Sequence, residues 1–228
     1  MRWISCLVAA VSLVVISSHR SVWAQQGNEV PCGGFPLTLD QAGFHFKCFK
    51  GEATAADLEK SREKLAAGGL PAADIEAIMA GFEISAMAPD SITYNLSYHA
   101  PPSVSYKEAK QYGEIVLSVA HQGHDLLAVP LRDYVLRVIS ETDAFGNENH
   151  FEWRTHGELG DYETQRFIEA GALLVGGRAC FAFGWKRDQS APEASSKRLL
   201  GLYCEIGETE LTDAVVTKIL SAISVKAP

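Results

Sequence analysis

Cys180 and Cys204 close the two ends of the segment ACFAFGWKRDQSAPEASSKRLLGLYC, and their spacing constrains the fold more than any other feature of the chain. An apolar run follows the first cysteine and another precedes the second, with the polar stretch DQSAPEASS between them. That is the pattern of a hairpin with a long loop. A bond between the cysteines fixes the register: Phe181 opposes Tyr203, Phe183 opposes Gly201 and Trp185 opposes Leu199. Alternation along each strand then collects Phe181, Phe183, Trp185, Leu199 and Tyr203 on one face. Ala182, Gly184, Leu200 and Leu202 share the other face with the disulfide. Both faces are largely apolar, so the hairpin is expected near the centre of the fold, buried on at least part of both sides.

The bond requires an oxidising compartment, and the N-terminus points to one. Arg2 precedes an apolar run from Ile4 to Ile16, and Val22-Trp23-Ala24 offers a small-residue cleavage site before Gln25. Residues 1–24 therefore read as an export signal. The run is shorter than the roughly 20 residues of a membrane span, and no comparable run follows it. A periplasmic or secreted protein is expected, with no transmembrane segment after signal cleavage. Removing the signal takes away Cys6, Arg2 and Arg20, leaving four of five cysteines and moving the net charge from −8 to −10. Four cysteines in an exported chain suggest two disulfides, here the local pairs Cys32–Cys48 and Cys180–Cys204, each stabilising by about 3 kcal/mol through chain entropy. The acidic balance and the lack of any basic cluster argue against nucleic acid as a partner.

The rest of the chain mixes helix and strand signals. GFHFKCFKG, residues 43–51, alternates as a strand carrying Phe44, Phe46 and Cys48 on one side. Thr54 caps a helix that stops at Gly68-Gly69, and Pro71 opens another carrying Ile75, Ile78 and Met79, so residues 52–82 form a helical hairpin appended to the domain. SITYNLSYHA alternates cleanly, with Ile92, Tyr94, Leu96 and Tyr98 facing the core and Thr93, Asn95, Ser97 and His99 on a wet face. Ser105 and Glu108 match a capping box, which predicts a helix that buries Tyr106, Ala109, Tyr112, Val116 and Val119 and ends at Gly123. DYVLRVISE and NHFEWRTH are expected to pair around TDAFGNEN, DYETQRFIEAG to form a polar strand, and a last helix from Thr212 to bury Val215, Val216, Ile219, Leu220 and Ile223. The sum is one α+β domain over 25–228: an antiparallel sheet with helices packed on one face, stapled by disulfides.

Candidate sites are few. Phe183, Trp185, Tyr203 and Trp153 could stack on a ligand, although rings beside a disulfide more often fill a core. His121, His124 and Asp125 could ligate a metal, but His121 and Gly123 also suit a helix C-terminus. His45 and Cys48 have HxxC spacing, which strand alternation points to opposite faces. His150-Phe-Glu152 lacks the downstream cysteine pair of a zinc deaminase, and Ser61 to Lys64 lacks the companion motifs of serine acyl-enzymes. Asn95-Leu-Ser97 is a glycosylation sequon. His99, His150 and His156 lie on strands with acids nearby, which leaves room for a dispersed catalytic site. No cofactor is expected. The reading that follows is a non-catalytic binding or envelope-associated domain whose partner is a protein or an envelope component. Its alternatives are a hydrolase with a dispersed His-dependent site and a His-based metal-binding protein.

Overall fold

The computed structural model describes residues 27–226 apart from 54, 70, 74, 77–90, 106–107, 123–125, 127, 141–150, 170–176, 187–195 and 209. The expected export signal, Ile78, Met79, His124, Asp125, His150 and most of the 188–196 loop lie outside the described residues. Eight strands form an antiparallel sheet in the order β1-β3-β4-β5-β9-β8-β7-β6. They are β1 (Asn28–Val30), β3 (His45–Ala53), β4 (Ser91–Ala100), β5 (Gln111–Ala120), β6 (Phe151–Leu159), β7 (Tyr162–Glu169), β8 (Arg178–Trp185) and β9 (Lys197–Ile206). A second, two-stranded sheet pairs β2 (Leu37–Leu39) with β10 (Ile223–Val225). Three helices are described in full: α1 (Ala55–Ala67), α2 (Leu131–Ser140) and α3 (Asp213–Ser221).

The β8–β9 hairpin has the expected register, with Cys180 opposite Cys204, Phe181 opposite Tyr203 and Phe183 opposite Gly201. Both disulfides form, Cys32–Cys48 and Cys180–Cys204. The hairpin is an inner part of the sheet, and each of its apolar faces seeds a core. On one side Phe181, Phe183, Leu199 and Tyr203 pack with Leu37, Leu39 and the α3 residues Val216, Ile219 and Leu220. On the other, Cys180, Cys204, Leu200 and Phe167 pack with Leu131, Tyr134 and Val135 of α2. The helices therefore do not share one face. A sheet that is apolar on both sides must be covered on both, and α2 and α3 take one side each.

Three local expectations are overturned. Residues 111–120 form the inner strand β5, not a helix. Its burial is continuous from Tyr112 to Ser118, so the apolar run does not alternate. The Ser105–Glu108 contacts do form, with Ser105 N and Oγ donating to Glu108 Oε2 at 3.3 and 2.7 Å, but they close a turn. DYVLRVIS is the helix α2 and does not pair with β6. Pro130 offers its carbonyl to Tyr134 N at 3.0 Å, and Asp133 lies in the first turn, where the helix dipole favours a negative charge. Ile223 belongs to β10, beyond the end of α3, whose N-cap is Thr212 as expected.

Two glycines are required by close approach. Tyr98 donates its hydroxyl to Leu202 O at 2.9 Å by crossing over Gly113, where a β-carbon would collide with both groups. A β-carbon on Gly201 would collide with the ring of Phe183.

Candidate functional site

The aromatic row is core. Phe181, Phe183 and Tyr203 are buried, and their rings lie 5.5–5.7 Å apart from Phe181 to each neighbour. Trp185 at the end of β8 is half-buried and hydrogen-bonds the phenol of Tyr162, whose acidity is lowered chiefly by burial. Of the four aromatics picked out by sequence, Trp153 has the most distinctive surroundings. It lies on β6, the last strand of the sheet, half-buried against Phe151 and Phe167 at 5.6 and 5.4 Å. The guanidinium of Arg132, an exposed residue of α2, lies over its ring at 5.1 Å. Arg132 Nε also donates to Gln165 Oε1 at 3.3 Å, which fixes the stack. A cation held over indole is an interaction of about 0.5–1 kcal/mol at an exposed site. β6 itself carries a register shift between Trp153 and His156, and exposed Glu152, Arg154, Thr155, His156 and Glu158.

The second polar locality is on the α2 side of β3, β4 and β5. The face of β4 expected to be wet is mostly buried, because β4 is an inner strand and its polar groups bond inward. Asn95 Nδ2 donates to Glu114 Oε2 at 3.5 Å, and Tyr134 of α2 donates to Glu114 Oε1 at 3.1 Å. Asn95 is 4% exposed, so its sequon has no accessible acceptor in the folded chain. Among the described residues its buried Oδ1 has no hydrogen-bond partner, a cost of about 1–3 kcal/mol. Complete burial, joined by the charge of Glu114, pushes the phenol of Tyr98 well above its ordinary value. Ser97 lies directly opposite Glu114, and Lys47 directly opposite Ser97. Sequence reading missed Glu114, because a strand buried on both faces has no alternation to betray it.

The histidines scatter. His99 on β4 and His156 on β6 are five strands apart, about 24 Å at ordinary strand spacing, so the two share no site. His156 Nε2 lies 3.4 Å from Glu163 Oε1. His121 ends no helix. It follows β5, and its Nε2 lies 3.4 Å from Glu52 Oε1. Cys48 is consumed by its disulfide, which removes the HxxC pair, yet His45 does meet another imidazole. It lies across the ladder from His99, with ring centroids 5.0 Å apart. His99 is buried, with Nε2 3.0 Å from Val104 O, while His45 is exposed. Burial lowers the His99 pKa, the Val104 hydrogen bond works against that, and the positive charges of His45 and Lys47 add to the lowering. Among the described residues, no group of three His, Cys, Asp or Glu side chains is placed to hold a metal, and no helix is long and apolar enough to cross a membrane.

No family model matches the chain, and no curated protein matches it. Two similar solved structures are of the immunity protein TplEi of the T6SS from Pseudomonas aeruginosa. Its complex with "L" peptide is 10% identical over 60% of this chain and 48% of that one, at a TM-score of 0.32. Its apo form is 10% identical over 87% and 75%, at 0.33. This chain thus spans about half the length of the first.

Proposed function

We propose that the protein is an exported binding domain, held rigid by two disulfides, that recognises a protein partner through the rim where α2 meets β6. The observation that carries this reading is the stack of exposed Arg132 on half-buried Trp153. Tryptophan and arginine dominate the energetics of protein interfaces, because each presents a large flat surface and directional donors together. Phe151 and Phe167 brace the indole from behind, so little side-chain entropy remains to be lost on docking. Export rests on the N-terminal signal pattern and is supported by the two disulfides, which persist in oxidising compartments.

Photo-cross-linking in the producing cell tests the reading. A photo-reactive side chain at position 132 is expected to give one adduct of discrete mass, which weakens at least tenfold when Trp153→Ala is added. The same group at exposed Lys218 on α3 is expected to give none. Equal adducts from both positions, or none from either, would overturn it.

The hydrolase alternative has one observation in its favour. The register puts Ser97, His99 and Glu114 on one face of β4 and β5, with Ser97 opposite Glu114. An enzyme using Ser97 as nucleophile would be labelled there by a fluorophosphonate. An unlabelled Ser97 in folded protein removes that alternative and leaves the binding reading standing.

A further inference from the structure

We propose that Cys32–Cys48 is a redox latch: reduction by an external dithiol releases residues 27–34 as a strap from the outer edge of β3. The bond joins two sulfurs of unequal access. Cys48 belongs to the larger core and is 1% exposed, while Cys32 is half-buried at its margin. The other disulfide has no such accessible end, since Cys180 and Cys204 sit on inner strands at 1% and 0% exposure. An incoming thiolate therefore meets Cys32 Sγ ahead of the other three sulfurs.

What the bond holds is otherwise lightly attached. β1 makes three ladder pairs with β3, from Asn28–Lys50 to Val30–Cys48, whereas β3 and β4 share nine. Glu29 lies 3.9 Å from Lys47, but the two side chains are 61% and 51% exposed, and such a pair adds little. Asn28 and Glu29 are exposed, and Val30 is half-buried against the core. Just past Cys32 the chain has a pivot. Gly33 and Gly34 are exposed with open space around them, and Gly34 has a φ of +82°. Phe35 then anchors the chain, 4% exposed and edge-on to Tyr94 at 5.5 Å. Motion of the strap stops there and leaves the core in place.

The exchange balances. A thiolate of the dithiol attacks Cys32 Sγ, the S–S bond breaks, and Cys48 leaves with the bonding pair. The second thiolate of the reductant then displaces Cys32. The dithiol supplies both electrons and ends as a disulfide, and the two protons it gives up finish on the cysteines. Reduced Cys48 remains a small apolar core residue, so the core needs no rearrangement. With the strap away, β3 becomes the outer strand and loses its cover between Cys48 and Lys50. The latch is independent of the α2–β6 rim.

The test follows hydrogen exchange by mass spectrometry in disulfide-intact protein treated with dithiothreitol. Alkylation mapping sets the dose so that Cys32–Cys48 is open and Cys180–Cys204 intact. Peptides from residues 27–34, and part of the 45–53 peptide, are expected to exchange about tenfold faster or more, while β8 and β9 stay within about twofold. Reoxidation is expected to restore the slow rates. Cys32→Ala combined with Cys48→Ala is expected to show the fast rates without reductant and to gain nothing from it. Unchanged exchange in residues 27–34 once the bond is open overturns the proposal, as does acceleration spread equally across the sheet. Failure to open this bond at any dose that spares Cys180–Cys204 overturns it too.

Discussion

Gly201 lies directly under the ring of Phe183, its cross-strand partner, at the centre of the larger core. The ring occupies the volume that a side chain at position 201 would need. Gly201→Ala is therefore expected to destabilise the protein by about 1–3 kcal/mol through overpacking. Phe183→Ala is expected to cost about 3–5 kcal/mol by leaving a cavity. Because the two share one space, Gly201→Ala with Phe183→Ala should cost clearly less than the sum of the single changes. Urea denaturation of the four proteins decides, and strict additivity would contradict the packing described.

Glu169 is the most buried member of the ion pairs among the described residues, with its side chain 3% exposed and Oε2 3.0 Å from Arg178 Nη1. Arg178 also donates to Tyr112 OH at 2.8 Å and lies over the Tyr112 ring. Arg178→Met takes the guanidinium away from a buried carboxylate and is expected to cost about 3–5 kcal/mol at neutral pH. Adding Glu169→Met removes the buried charge, and the double variant is expected to recover at least half of that loss. A double variant less stable than Arg178→Met would show that the pair is not the relevant unit.

Tyr98 and Tyr203 link stability to alkaline pH. Burial comes first among the causes that raise both phenols, joined by the carboxylates of Glu114 for Tyr98 and Glu205 for Tyr203. A group whose pKa is raised by folding stabilises fully below its unfolded value, here about 10, and that stability is lost as pH climbs beyond it. Unfolding free energy is thus expected to be insensitive to these groups at pH 7–9 and to fall above about pH 10. Tyr203→Phe should flatten the fall. Phenolate absorbance followed against pH is expected to show two tyrosines titrating only as the protein unfolds. Normal titration of all seven in the native state would refute this.

The two disulfides differ in access. Cys180 and Cys204 are 1% and 0% exposed, while Cys32 is half-buried. A mild reductant is expected to open Cys32–Cys48 first in native protein and to reach Cys180–Cys204 only after unfolding. Timed alkylation and peptide mass mapping would show the order. Loss of either bond is expected to cost about 3 kcal/mol.

What could be read from the sequence depended on whether a segment carried its own register or borrowed it from neighbours. Two cysteines fixed the β8–β9 pairing to the residue, because a covalent bond leaves no freedom to slip. β4 announced itself by alternation, although burial of Thr93, Asn95 and His99 arises from elements far away in sequence. β5 was hidden: IVLSVA is largely apolar with no alternation, and such a run suits an inner strand and a buried helix alike. The capping signal at Ser105 tipped the reading the wrong way. α2 was mistaken for a strand because its β-branched residues outweighed Pro130, Asp133 and the spacing of Leu131, Tyr134 and Val135. That error concealed one wall of the candidate rim. Trp153 was picked out, while Arg132, which defines its surface, was not. The His45–His99 pair was invisible for a simpler reason, since the partners lie 54 positions apart and only strand pairing joins them.

The bulge in β6 decides how neighbours can engage this molecule. The outermost ladder is kinked between Trp153 and His156 and bristles with charge, from the Glu152–Arg154 pair to Glu158 and Lys186. Such a border resists zippering by a second copy, so the molecule is guarded against growth into fibrils in a crowded medium. It equally denies a visiting peptide the straight run of amides needed to join as a ninth strand. Anything that docks at this end must grip projecting groups and leave the ribbon of main chain untouched.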